Sequence, residues 1–229
     1  MIRTCGRIRR TAEFALLYLG VPALLRLAPE IARGTGVKLS LPVAPVLVLM
    51  AAVVLLFMLR TRLLRADDLG AISGATRRDW AIMLGRFVCF AAALSAALHL
   101  YKPEALLKFP RERAGLWALV MLLYPLVSVT SQGIIYRAFY SLRYAPVFPA
   151  ALQTLVGAAV FSFAHLAFAN AFALAFTFVG GIFFLSSYRR TGSLLFSNLE
   201  HALYGDFLFT IGWGEYFFHA GTLRMLSQQ

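Results

Sequence analysis

The stretch Tyr144–Tyr188, YAPVFPAALQTLVGAAVFSFAHLAFANAFALAFTFVGGIFFLSSY, is 45 consecutive residues without Lys, Arg, Asp or Glu. A hydrocarbon core takes about 20 apolar residues of helix to cross. This run is therefore two spans joined by a tight turn, placed near Ala169–Asn170, and Arg189 and Arg190 close it. On its N-terminal side, past Arg137 and Arg143, lies another uncharged run, Ala114 to Tyr136. Upstream of that, a span runs from about Trp80 to Tyr101, and a second uncharged run covers Leu39 to Leu59. The first apolar segment, about Phe14 to Leu25, follows Arg3, Arg7, Arg9 and Arg10. A basic start and a short apolar core are also marks of a secretory signal. Here the end, LRLAPEIARG, has no clear cleavage site, and the segment reads as a retained helix. The last segment, Thr191 to about Phe218, is apolar but carries Glu200, His201, Asp206 and Glu215.

Composition supports this reading. Of 229 residues, 60% are apolar and 14% charged, against about 25% charged in an ordinary soluble domain. Mean hydropathy is +0.74. Such a chain cannot cover a soluble surface with charge, nor is it disordered, which needs low hydrophobicity. The apolar segments are too long for barrel strands, and in lipid only helices and closed barrels satisfy the backbone. The expected fold is all-α, a polytopic transmembrane bundle of about seven to eight helices. The net charge is +12, which in a soluble protein would suggest nucleic acid. Here the positives sit at the ends of apolar runs, so they read as orientation signals and no nucleic-acid partner is expected. With the N-terminus inside, the cytoplasmic pieces hold four arginines, then five, then Arg137 and Arg143, then Arg189 and Arg190. The external loop Lys102–Arg113 carries four positives and is an exception. The expected location is a bacterial inner membrane, with the N-terminus cytoplasmic. Cys5 and Cys89 give neither a disulfide framework nor metal-site spacing.

Ionisable residues inside spans are costly, by about 2.5–3.5 kcal/mol or more at the centre, and usually have a role. Four groups qualify: Ser131, Gln132 and Arg137; Phe161 and His165; Asn198, Glu200, His201 and Asp206; and Arg86 with His99. Arg86 is placed to snorkel to the headgroups, and His99 and His219 fit the interface. Two histidines on different helices, His165 and His201, could converge on a water, a metal or a proton path.

The ordered set GIIYR ending at Arg137, FSFAH at Phe161–His165 and EHALYGD around His201 resembles the CPBP family of intramembrane proteases, which includes type II CAAX prenyl endopeptidases and the Abi-like bacteriocin-processing proteins. That family shows Glu-Glu-x-x-x-Arg, then Phe-x-x-x-His, then His-x-x-x-Asn on successive helices. The resemblance divides the chain into N-terminal helices with a basic loop, 1–113, and a core carrying the motif helices, 114–229. It implies hydrolysis of a peptide bond at the cytoplasmic membrane face, acting on a membrane-associated peptide or protein. Gln132 and Arg137 would position water and substrate, His165 would act as base or oxyanion donor, and His201 would stabilise the oxyanion. Phe161, Glu200 and Asp206 are secondary candidates. No cofactor is implied; zinc held by His165, His201 and a carboxylate is the alternative.

The departures from the pattern matter. Gln132 and Gly133 occupy the two glutamate positions, and Gly205 occupies the final asparagine, with Asp206 one residue later. Glutamine positions water but takes no proton from it. Arg137 lacks the carboxylate one turn before it, and must pair elsewhere or reach the headgroups. Glu200 lies about 100° and Asp206 about 140° around the helix from His201, so neither replaces the missing base on geometry. The readings left open are an endopeptidase with altered chemistry, a non-catalytic pseudoprotease scaffold, and a small transporter. The last lacks the internal repeat and broken helices that such proteins show.

Overall fold

In the computed structural model, residues 2–34, 43–65, 69, 72 and 74–217 are described. The charges Asp67 and Asp68, His219 and the far end of the last apolar segment lie outside the described residues. The described chain is helical, with no strand among the described residues. The elements are α1 (Ile2–Ala15), α2 (Val21–Gly34), α3 (Val43–Arg60), α4 (Arg77–Tyr101), α5 (Lys108–Glu112), α6 (Ala114–Leu123), α7 (Thr130–Gly133), α8 (Gln153–Phe163), α9 (Ala171–Thr191) and α10 (Leu194–Ile211). Among the described residues, four continuous helices are long and apolar enough to cross a membrane: Gly6–Ala28, Arg77–Tyr101, Ala114–Val147 and Ala171–Thr191. Ala44–Arg60 and Gln153–Phe168 are shorter apolar helices.

Local chemistry explains the boundaries. α4 opens with a capping box, in which Thr76 Oγ1 accepts from Asp79 N and the Asp79 carboxylate accepts from Thr76 N at 2.9 Å. The same carboxylate pairs with Arg190 at the end of α9. The turn between α8 and α9 falls where the sequence placed it. Ala169 takes a left-handed conformation, and Asn170 caps α9 by accepting from Ala173 N at 2.7 Å. Ser193 caps α10 through Phe196 N at 3.0 Å.

The motif helix between α6 and α8 is irregular. It widens to π geometry over Tyr124–Val129 and again over Ile134–Tyr144. Pro125 sits in the first widened segment, where its missing N–H and ring clash forbid a regular α-turn. Side chains add bonds to carbonyls of this stretch: Thr130 Oγ1 donates to Pro125 O at 3.0 Å, beside the Thr130 N–H that Pro125 O also accepts, and Arg137 Nη2 donates to Val129 O at 3.1 Å. Tyr18, at the π turn between α1 and α2, donates to Ile135 O at 2.7 Å. Its ring packs edge-on to Tyr136, Tyr140 and Tyr144. The first helix is thereby stitched to the motif helix.

Burial is inverted relative to a soluble protein. Leu16, Leu49, Val88, Leu100, Leu122 and Leu126 face outward, whereas Ser131, Gln132, Arg137, Ser187, Ser197, Glu200 and His201 are buried. An apolar exterior around a polar interior suits lipid as solvent. Tyr18→Phe removes one buried bond to the widened segment. We expect it to lower stability by about 0.5–1.5 kcal/mol, read as a lower denaturant midpoint in mixed micelles, with secondary structure unchanged.

Candidate active site

Three elements build the site. α7 and the π segment after it carry Gln132 and Arg137, the α8 end carries Phe161 and His165, and α10 carries Asn198 and His201. Arg137 does not reach the headgroups. It is only 2% exposed, and its Nη2 donates to Asn198 Oδ1 at 2.7 Å as well as to Val129 O. Its Nη1 lies 3.1 Å from His201 Nδ1, and its guanidinium sits 5.8 Å from the Phe184 ring centroid.

These contacts settle the histidine tautomers. A guanidinium only donates, so His201 Nδ1 accepts and the proton of the neutral ring is on Nε2. Nε2 lies 3.1 Å from the Tyr124 hydroxyl, which therefore accepts from it and keeps its own proton to donate. His201 is further held by Phe184, stacked at 4.5 Å, and by the Phe161 edge at 5.5 Å. His165 has the opposite arrangement. Its Nδ1 lies 2.8 Å from Phe161 O, and a carbonyl only accepts, so Nδ1 holds the proton and Nε2 the lone pair. Phe161 lies between the two histidines, 4.9 Å from the His165 ring centroid.

Gln132, His165, His201 and Tyr124 line one cavity of about 150 Å³, whose other walls are mostly aromatic. Gln132 Nε2 donates to Ser128 Oγ at 2.7 Å, and its buried Oε1 has no protein partner. A second, largely apolar cavity of about 220 Å³ lies against α2 and α3 and shares Ser128, Gln132 and His165 with the first. The polar groups thus stand at the wall between an aromatic chamber and one lined by the first helices.

The two substituted motif positions have steric explanations. A Cβ at Gly133 would meet Asn198 Oδ1, and would lie 2.7 Å from Arg137 Nη2. Arg137 and Asn198 fill the space where a second glutamate would sit. A Cβ at Gly205 would meet the Tyr124 ring and hydroxyl, so Tyr124 stands where the family's asparagine side chain would be.

Of the secondary candidates, Phe161 joins the site. Glu200 is fully buried on another face of α10, with Oε1 3.8 Å from Arg86 Nη1; Arg86 turns inward rather than snorkelling. Asp206 does not line the cavity, and its Oδ1 is buried without a partner. Among the described residues, no three His, Cys, Asp or Glu side chains converge as a metal ligand set. His99 is exposed and remote from the cavity. Sequence reasoning missed Tyr124 and Ser128. Ser128 is one turn before Gln132, a signal that was there. Tyr124 is one turn before Ser128, on the same stripe of the helix, and its role comes from meeting His201 on α10.

Residues 113–205 match the family model described as type II CAAX prenyl endopeptidase Rce1-like. The match covers less than half of the chain, and the segment it covers is the one that carries the CPBP-like motifs. No curated protein and no solved structure matches the chain. The Rce1-like segment contains Tyr124, Gln132, Arg137, His165 and His201 and ends at Gly205. α1 to α4 lie outside it. With its apolar helices, the chain is an integral membrane protein.

The tautomer assignment is testable by ¹⁵N NMR of histidine-labelled protein. The bare nitrogens should be Nδ1 of His201 and Nε2 of His165. Arg137→Leu should release His201 to a tautomer mixture and leave His165 unchanged. A bare Nε2 on His201 in the unsubstituted protein would refute it.

Proposed function

We propose that this protein is an intramembrane endopeptidase of the CAAX-protease-like kind in which His165 replaces the motif glutamate as base. One observation carries the reading: the two histidines and Gln132 line a single cavity with opposite nitrogens presented. Gln132 Oε1 accepts a hydrogen bond from the attacking water and holds it. His165 Nε2 takes the water's proton as its oxygen adds to the peptide carbonyl. When substrate binds, its carbonyl oxygen replaces the Tyr124 oxygen as acceptor of His201 Nε2–H and accepts from the Tyr124 hydroxyl as well, where negative charge develops; one such donor is worth about 10²–10³ in rate. His165 then returns the proton to the departing amine nitrogen, leaving a carboxyl and an amine product. These steps use only the chain's own side chains, with no cofactor. The substrate is a membrane-associated peptide or protein cut near the cytoplasmic face, and the setting is a bacterial inner membrane with the N-terminus inside.

A neutral imidazole standing in for the motif carboxylate is a less well-placed base, so turnover is slow. A second reading, a pseudoprotease that binds a membrane segment without cutting it, has its own support in the lack of any carboxylate lining the cavity among the described residues.

The test is cleavage of a quenched fluorescent transmembrane peptide by protein reconstituted in liposomes. A placed general base or acid contributes about 10²–10⁴-fold. His165→Ala should therefore lower the rate by about 100-fold or more, and Gln132→Glu should raise it by about 100-fold. Gln132→Glu is the reversal to make alone, because a side chain at Gly133 displaces Asn198 and Arg137. Turnover in neither form, with the fold intact, supports the binding scaffold instead.

A further inference from the structure

Hydrolysis inside an apolar bundle needs a path for water, and both cavities at the site are walled mainly by apolar side chains. A second set of polar groups lies between α4, α9 and α10, on a different face of α10 from His201. Glu200 is 0% exposed, and neither carboxylate oxygen has a hydrogen-bond partner. Arg86 Nη1 is the nearest charge, at 3.8 Å, beyond hydrogen-bond reach, and it too is buried and unpartnered. Ser187 Oγ faces the carboxylate from α9, also without a bond of ordinary geometry. One turn past Glu200, Tyr204 lies within electrostatic range of Glu200 and Arg86. Its hydroxyl is buried and unpartnered, and its ring lines the site cavity.

Five polar atoms on four side chains thus lack a hydrogen bond of ordinary geometry in one place. Leaving that many buried groups unbonded is far costlier than a native fold tolerates. A charge pair held just past contact is the usual geometry of a bridging water, and a buried water makes about three hydrogen bonds to such groups. The set has two ends. Tyr204 opens on the cavity, while Ser187 lies one turn inside Arg190, which is exposed and pairs with the buried Asp79 at the start of α4.

We propose that Arg86, Ser187, Glu200 and Tyr204 hold a file of water that runs from the Asp79–Arg190 end of the bundle to the site cavity. Glu200 is its centre and a positioning residue, not a base. Its use, delivery of the hydrolytic water, rests on the endopeptidase reading; its existence does not.

The test reads water directly. Ser187→Cys, in a Cys5→Ser, Cys89→Ala background reconstituted in vesicles, is exposed to a charged methanethiosulfonate reagent. Labelling should be at least about tenfold faster than at the lipid-facing control Leu122→Cys. Adding Glu200→Leu should slow it about tenfold, and Glu200→Gln should not. Labelling of Ser187→Cys no faster than of Leu122→Cys, while exposed Thr61→Cys reacts in the same preparation, overturns the proposal. A second measurement needs no substitution. Polarisation transfer from water in solid-state NMR should reach the Glu200 carboxyl carbon as fast as the Arg190 guanidinium carbon. Transfer no faster than to buried Ala158 overturns it. Water at Glu200 without peptidase activity would leave the file standing and remove its catalytic use. Activity with a dry Glu200 would do the reverse.

Discussion

A guanidinium buried in an apolar bundle with no carboxylate against it is the constraint around which this site is arranged. Removing a charge from water costs several kcal/mol even after relaxation, so every acceptor within reach of Arg137 is drawn to it. Three answer: the Val129 carbonyl, Asn198 Oδ1 and His201 Nδ1. The last has chemical consequences. An imidazole that accepts at Nδ1 must present Nε2–H on its other side, toward Tyr124 and the cavity. The arginine therefore fixes the tautomer of His201 without any motif carboxylate, and in the proposed mechanism it acts through that tautomer.

The widened motif helix is the second condition. π segments are common at functional sites, and here the cause is local. Pro125 breaks the regular ladder, and carbonyls of the widened helix accept from the side chains of Thr130 and Arg137. Tyr124, in the same segment, lies over His201, in the space that Gly205 leaves open. A phenol in place of an amide keeps a donor at that point. Where the CPBP pattern has two carboxylates and an asparagine, this chain has Gln132, Gly133 and Gly205, with Tyr124 packed over Gly205.

Much of the fold was legible in the sequence because hydropathy is decisive in lipid. The uncharged run Tyr144–Tyr188 required two helices and a turn, and Ala169–Asn170 supplied it. The spans are less uniform than the seven apolar segments suggested, since α3 and α8 are short. The motif spacing brought Gln132, His165 and His201 together in expectation, and the cavity contains all three. Arg86 was misread because snorkelling depends on where the helix turns its side chain, and Glu200 holds it inward. Tyr124 was missed because its place in the site depends on meeting His201 over Gly205 on another helix. Tautomers were not legible at all, since they depend on which atom of another helix each ring nitrogen meets.

The central claim is that Arg137 sets a donor pair, His201 Nε2–H and the Tyr124 hydroxyl, against a developing oxyanion. It is tested most directly by binding a peptide phosphonate, whose tetrahedral anionic centre mimics that state, in comparison with the uncleaved peptide of the same sequence. Transition-state mimics bind about 100-fold or more tightly than the substrates they resemble. The account predicts such a preference in the unsubstituted protein, lost in His201→Ala and reduced in Tyr124→Phe. Equal affinity for phosphonate and peptide, unaltered by either substitution, would contradict it.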